Sequence, residues 1–201
     1  MMLLSTAYFP PVEYFVLLAE GENVFIDPFE KYVKQSYRNR CRILTANGPM
    51  DLRVPIVHNG QYGIREVQVD YETPWVERTE YAVDSAYYNS PFFEYYRDEL
   101  FRILDSHPDS LWKLNLSLIH FFCAKTGIKE PSVPDVPVAE ETSADFRNLI
   151  HPKREAIFGT LPYWQVFREK FGFVPGLSIM DLLFNEGPES ICYLKKAITN
   201  N

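Results

Sequence analysis

The sequence has few cysteines and no long apolar run. Three cysteines stand in 201 residues, at Cys41, Cys123 and Cys192, without a Cys-x-x-Cys pair or paired histidines nearby. An odd number at wide spacing predicts neither a disulfide framework nor a zinc site. No stretch of about 20 apolar residues occurs, and the N-terminus lacks the pattern of a signal peptide. We therefore expect a cytoplasmic protein that does not insert into membranes and holds no metal.

Positive charge is also scarce. Lysine and arginine number 20 against 27 acidic residues, so the formal net charge is −7 at pH 7. A surface of this sign repels phosphate backbones, which argues against nucleic acid as a main partner. The nucleophile-elbow, zinc-protease and phosphate-loop motifs are absent, as is a glycine-rich dinucleotide fingerprint. The sequence thus predicts no cofactor and gives no support for a serine or cysteine nucleophile.

What the chain does have is material for a core. Aromatic residues make up 15% of the sequence, and 201 residues suffice for one sizeable core. We expect a single domain over residues 1–201. Its parts, in order, are a sheet-forming part (1–72), a helical part (73–127), a proline-rich acidic connecting segment (128–160) and C-terminal helices (161–201).

The first 28 residues predict a strand, a helix and a second strand. Apolar residues at 2–8 and 23–27 flank a denser apolar segment at 12–19, and Gly21 is suited to end the helix. Such a unit has parallel strands joined by a right-handed crossover. The loop from Tyr8 to Pro11 then lies at the carboxyl end of a strand, where open α/β sheets usually bind ligands.

The next segments predict more strands and then helices. Residues 40–46 and 50–57 flank Asn47-Gly48, a dipeptide typical of a tight hairpin turn, and residues 64–70 alternate like a third strand. From Trp75 onwards the apolar spacing becomes helical. We expect an α/β fold in which the βαβ start and the hairpin form one mixed sheet, covered by helices mainly from the C-terminal half. The expected helices include one over residues 163–171.

A cluster of basic residues stands out in this acidic chain. If residues 38–43 are extended, alternate side chains project from one face, about 6–7 Å apart. Three guanidinium groups on one face repel each other unless an anion bridges them. The alternative is a solvated strand edge that discourages aggregation. With the neutral hydrogen-bonding side chains between them, the candidate anion-binding residues are Lys34, Gln35, Arg38, Asn39, Arg40 and Arg42.

Three further places carry candidate residues. His151, with Lys153 and Arg154, forms a second small basic cluster that would fold over an anion held by the first. Tyr8 and Tyr14 flank two prolines and would stack on a sugar or base, although aromatic residues there are more often core.

Near the C-terminus, Asp181 and Asn185 would share a helix face with Ser178. They form a candidate catalytic pair, with Asp181 as general base. The same residues also suit helix caps: Ser178 and Asp181 fit a capping box, and Asn185 stands near the glycine that would end the helix. We favour the cap, and both interpretations remain open.

Four stretches, "AYFPPVEYF", "YVKQSYRNRCRILTANGPMDLRVPI", "YNSPFFEYY" and "LSIMDLLFNEGPE", together resemble the WbqC-like protein family of bacteria, in the form found in Bacteroidetes. The resemblance runs from residue 5 to about residue 195. Many members begin with a His-Gln-Pro-Asn-Tyr motif, which residues 4–8 replace here, so no role for that histidine carries over. The positions that do carry over are Tyr8, Pro10, Tyr14, Phe15, Gln35, Arg38, Asn39, Arg40, Asn47, Gly48, Pro55, Asp181, Asn185 and Gly187.

The resemblance implies a function in surface polysaccharide or O-antigen biosynthesis, because family members often lie in such gene clusters. The implied partner is a phosphate-bearing small molecule, such as a nucleotide-activated or amino sugar. One hypothesis is a group transferase in which the arginines hold phosphates. The other is a non-catalytic binding or scaffold protein that uses the same cleft. The oligomeric state is left open.

Overall fold

The first strand, helix and second strand form a parallel unit, as predicted. In the computed structural model, which describes residues 1–58, 60, 63–138, 144–158 and 161–199, β1 (Met2–Leu4) pairs in parallel with β2 (Val24–Ile26). Helix α1 (Val12–Glu20) joins them. Its end is fixed by Gly21, whose N–H donates to the Leu17 carbonyl at 3.1 Å. The βαβ start is confirmed.

A third parallel strand comes from far along the chain. The short strand β5 (Ala144–Asp145) pairs with β1 on the side opposite β2, so the strand order is β2-β1-β5. Both β5 residues are exposed. Two exposed residues without apolar alternation give no strand signal in the sequence. Pairing with β1 brings the connecting segment to the carboxyl edge of the parallel sheet.

The hairpin forms, but it makes a sheet of its own. Strands β3 (Arg40–Thr45) and β4 (Gly48–Arg53) are antiparallel and constitute a separate two-stranded sheet. The α/β class is confirmed, while the expectation of one mixed sheet is corrected. The turn also shifts by one residue, because Thr45 pairs with Gly48 and the positive φ of 106° belongs to Gly48.

The strand predicted over residues 64–70 is wrong. Residues Ile64–Glu66 form a 3-10 helix, and the following residues make only single bridges. The Val69 N–H donates to the Asp109 carbonyl, and the Val67 carbonyl accepts from the Leu111 N–H, so both partners lie at the start of the helix that begins at Leu111. The alternation here buries the apolar side chains, but no strand among the described residues extends the ladder.

Helices from residue 75 onwards cover the two sheets. The helix expected over 163–171 is limited to its last four residues, since Gln165 bonds through its side chain to the Val174 backbone in both directions, at 2.9 and 3.0 Å. None of the described helices is long and apolar enough to cross a membrane. The helices are α2 (Trp75–Tyr87), α3 (Phe93–Asp105), α4 (Leu111–Thr126), α5 (Arg168–Phe171), α6 (Ile179–Glu186) and α7 (Ser190–Thr199).

Candidate functional site

The carboxyl edge of the parallel sheet holds a buried ion pair. Arg38 contacts Glu30 through two guanidinium nitrogens, and the two side chains are only 4% and 3% exposed. The Thr6 N–H donates to the other Glu30 oxygen at 3.0 Å. Burial raises the pKa of Glu30 to about 7, while Arg38 opposes that rise. Of the three arginines predicted to share a strand face, Arg38 is therefore already paired with the buried Glu30.

A second ion pair fastens the connecting segment to the same edge. Arg147 donates to Asp27 at 2.6 Å and to Asp145 at 2.7 Å. Its carbonyl accepts from Arg38 at 3.5 Å. Residue Asp27 follows β2, whereas Asp145 ends β5. The residues after Asp145 are thus held against the base of the hairpin.

Two arginines face each other across the hairpin. Arg40 in β3 is the cross-strand partner of Arg53 in β4, so both side chains belong to one face. Arg42, on the same face, instead meets Asp51 and donates to it at 3.1 Å. Like charges directly opposite each other destabilise a strand pair. The Arg40 Nε atom is also buried, with no hydrogen-bond partner in the part of the chain that the structure describes.

The second basic cluster lies beside the first. Partial burial lowers the pKa of His151. Four positive charges lower it further, those of Arg154, Lys153, Arg38 and Arg40. These cations are therefore close enough for their charges to act on one imidazole.

Polar groups adjoin this cluster. Lys153 donates from Nζ to the Gln35 side-chain oxygen, and Gln35 itself adopts a left-handed φ of 59°. Burial raises the pKa of Tyr32, while the charges of Arg40 and Arg38 oppose that rise. The cationic face, as we call it, consists of the cations Arg40, Arg53, Lys153 and Arg154 together with the imidazole of His151, whose lowered pKa keeps it neutral at pH 7.

Sequence reasoning missed Arg53 and Tyr32 as members of this region. The register of the hairpin places Arg53 opposite Arg40, whereas the turn predicted at Asn47-Gly48 would have placed Arg53 opposite Arg42. Asn39 closes the base of the hairpin, because its side chain donates to the Val54 carbonyl at 2.9 Å. Lys34, four residues before Arg38, is exposed.

The two candidate tyrosines lie in the core. Tyr8 is 0% exposed and Tyr14 is 1% exposed. The Tyr14 hydroxyl donates to the Ser5 carbonyl at 2.9 Å, and the Tyr8 ring lies 4.5 Å from that of Phe9. The Tyr8 N–H donates to the Tyr37 carbonyl at 2.8 Å, so the entry loop does touch the basic segment. Ligand contact by either tyrosine stays a prediction.

The candidate catalytic pair lies in a different environment. Asp181 and Asn185 are 1% and 5% exposed, and the Asn185 side chain donates to the Asp181 carbonyl at 2.7 Å. Gln165 donates to the Asp181 carboxyl at 3.3 Å. Burial raises the pKa of Asp181 to about 8, and the Gln165 bond opposes the rise. Ser178 caps α6, as predicted, by accepting from the Met180 N–H at 3.3 Å.

The structure therefore separates the predicted residues into two groups. Arg38 and Arg40 lie with Glu30 and His151, whereas Asp181 lies with Gln165 inside the core. A catalytic role of Asp181 and Asn185 stays a prediction. Within the described ranges, no group of three or more His, Cys, Asp or Glu side chains is placed to hold a metal ion.

Comparisons with known proteins place the chain in a family. The model of the WbqC-like protein family matches residues 6–151. The uncharacterized protein Rv1507c of Mycobacterium tuberculosis is 27% identical over 223 residues, which cover 96% of each chain. No solved structure matches this chain. Because the family model spans more than half of its residues, the chain belongs to the WbqC-like protein family.

Proposed function

We propose that this protein binds a phosphate-bearing small molecule at the cationic face. The observation that carries the proposal is the pairing of Arg40 with Arg53, where Arg40 is close enough to act on His151 and its Nε atom has no hydrogen-bond partner among the described residues. A bound anion removes the repulsion between these groups. Phosphate suits them because its oxygens accept paired hydrogen bonds from a guanidinium fork.

The charge of the rest of the molecule supports a small ligand over a polymer. With a net charge of −7, the surface outside this face repels a long polyanion, while a single phosphorylated molecule meets only the local cations. We therefore propose a nucleotide-activated or amino sugar as the ligand, and a function in surface polysaccharide biosynthesis. Membership of the WbqC-like family supports this class.

The first prediction concerns Arg40. Replacing Arg40 by alanine is expected to weaken binding of UDP-glucose and of inorganic pyrophosphate by more than about 1.5 kcal/mol, the scale of a charge-assisted hydrogen bond. Isothermal titration calorimetry at low salt measures both affinities. Arg102→Ala is the matched control, because Arg102 is an exposed arginine at the end of α3, outside the cationic face. Equal affinities in the parent and Arg40→Ala would contradict the proposal.

The same ligands separate group transfer from binding alone. In a transferase with Asp181 as general base, Asp181→Asn keeps nearly the parent affinity for UDP-glucose but loses release of UDP to an acceptor above pH 8, where the Asp181 carboxyl is ionised. In a binding protein, the parent itself releases no UDP above the rate without protein. Calorimetry and a coupled assay of UDP release, run on the same preparations, give the two readouts.

A further inference from the structure

A second cleft lies in the C-terminal part of the chain. It is an open groove of about 470 Å³ between the segments flanking α5, the end of α6 and the first turn of α7. This volume lies within the range of small-molecule sites. The family model ends at residue 151, before the residues that form the cleft. Its main lining side chains are Tyr163, Trp164, Arg168, Phe173, Glu186 and Tyr193.

The aromatic side chains that line this cleft pack against one another. Tyr163, only 8% exposed, packs edge-on against Phe173 at 5.3 Å and 79° and against Tyr193 at 6.1 Å and 81°. Trp164 is 38% exposed, although tryptophan is usually well covered. The rings that line this open space offer aromatic surface to whatever enters. Such surroundings attract organic cations.

A carboxylate adds negative charge to the same space. Glu186 is the last residue of α6, where the helix dipole is also negative. One of its oxygens accepts from the Trp164 backbone N–H at 3.0 Å, which fixes the Glu186 side chain. Burial raises the pKa of Tyr193, and the Glu186 charge raises it further, so the two groups are close. An ammonium group in the cleft would meet this carboxylate and the rings together.

Arg168 supplies the opposite charge at the same cleft. Its side chain is exposed and lines the opening, and no ion pair of Arg168 occurs among the residues that the structure describes. A simple cation gains nothing from this guanidinium. A molecule with an ammonium group at one end and an anionic group at the other satisfies both Glu186 and Arg168.

We propose that this cleft binds an organic ammonium group carried by a zwitterionic small molecule. The rings of Trp164, Phe173 and Tyr193 contact the ammonium group, Glu186 balances its charge, and Arg168 binds the anionic end. The site is independent of the cationic face and of its proposed ligand.

A comparison of choline with its neutral isostere tests the class of ligand. Choline is expected to bind saturably and to change tryptophan fluorescence, while 3,3-dimethylbutan-1-ol, which has the same shape without the charge, binds at least about fivefold more weakly. Fluorescence reports on this cleft, because Trp75 and Trp112 are 4% and 6% exposed. Equal binding of both compounds, or binding of methyl glucoside but not of choline, would overturn the proposal.

Variants assign the binding to the cleft. Isothermal titration calorimetry, which does not depend on the Trp164 fluorophore, is expected to show that Trp164→Leu and Glu186→Gln each lower the choline affinity by about fivefold or more. In Glu186→Gln, the glutamine can still accept from the Trp164 backbone N–H, so we expect this variant to keep the fold. Tyr95→Leu, which removes an aromatic ring that is 78% exposed on α3, is the matched control and is expected to change nothing.

Arg168→Gln separates the two ends of the ligand. It is expected to weaken binding of phosphocholine but to leave choline unaffected, because only phosphocholine carries an anionic group. Circular dichroism confirms that each variant is folded before titration. An unchanged choline affinity in both Trp164→Leu and Glu186→Gln, with parent-like spectra, would refute the site.

Discussion

Arginine residues in one short stretch have different fates in this protein. Arg38 is buried against Glu30, Arg42 meets Asp51 across the hairpin, and Arg40 faces Arg53. The alternation of the sequence places Arg40 and Arg42 on one strand face. It does not reveal that residue 38 precedes the strand and that its charge is taken up by an acidic residue eight positions earlier. A basic residue is available to bind an anion only where no acidic side chain of the folded protein pairs with it.

At the same scale, Asp181 is expected to make stability depend on pH. Its pKa is about 8 in the folded protein against 3.8 for a free aspartate side chain. Between these values the unfolded chain has released its proton and the folded chain has not, so the free energy of unfolding falls as pH rises from about 4 to 8. Asp181→Asn removes this term and is expected to stabilise the protein at pH 8 by a few kcal/mol.

Urea denaturation of the parent and Asp181→Asn at pH 4.5, 6.5 and 8 measures the effect. The difference between the two proteins is expected to grow steadily with pH. Asp98→Asn is the control, since that side chain is 75% exposed. Glu30, whose pKa is also raised, affects parent and variant alike and cancels. A difference that is the same at all three pH values would contradict the buried, protonated state of Asp181.

Among the elements, those with a complete local pattern were predicted well. Helices α2, α3 and α4 follow from apolar residues at every third or fourth position, and Gly127 ends α4 with a φ of 70°. The segments at 64–70 and 163–171 failed for a common reason. Backbone groups in both segments bond to distant partners, namely the approach to α4 for Val67 and Val69 and the Glu186 side chain for Trp164, which no local pattern indicates.

The end of α6 is a place where one glycine is required. Gly187 has a φ of 54°, and a Cβ there would lie 2.6 Å from the ring of Phe92. Gly187→Ala is expected to cost about 2–4 kcal/mol, since backbone strain and a clash add. Gly127→Ala tests strain alone, because its φ is 70° and no atom lies within 4 Å of the added carbon. Thermal unfolding compares them, and equal losses would exclude the clash.

At the scale of the whole molecule, three contacts hold the connecting segment (residues 128–160) across the carboxyl edge of the parallel sheet. Arg147 ties it to Asp27, Lys153 ties it to Gln35, and the Ile157 N–H donates to Glu13 at 3.0 Å. Each contact joins residues more than 100 positions apart. The cationic face therefore exists only when both halves of the chain are folded together.

Replacing Arg147 by alanine tests whether its ion pair with Asp27 holds the connecting segment in place. Arg147→Ala leaves Asp27, whose side chain is 7% exposed, without that guanidinium, and is expected to cost about 2–4 kcal/mol. It is also expected to weaken phosphate-ligand binding, because His151 and Lys153 lose their support. Chemical denaturation and calorimetry measure the two effects. Lys113→Ala, which breaks an exposed pair with Asp109, is the control and is expected to leave both nearly unchanged.

The sequence by itself determined most of the local elements and the class of the fold, because apolar period, prolines, glycines and caps act over a few residues. It also determined which residues carry positive charge and, through the hairpin, that Arg40 and Arg42 share a face. Only the tertiary structure decided that Arg38 is neutralised by Glu30 and that His151 joins Arg40. Burial and ion pairing depend on contacts between distant segments, which a local pattern does not contain.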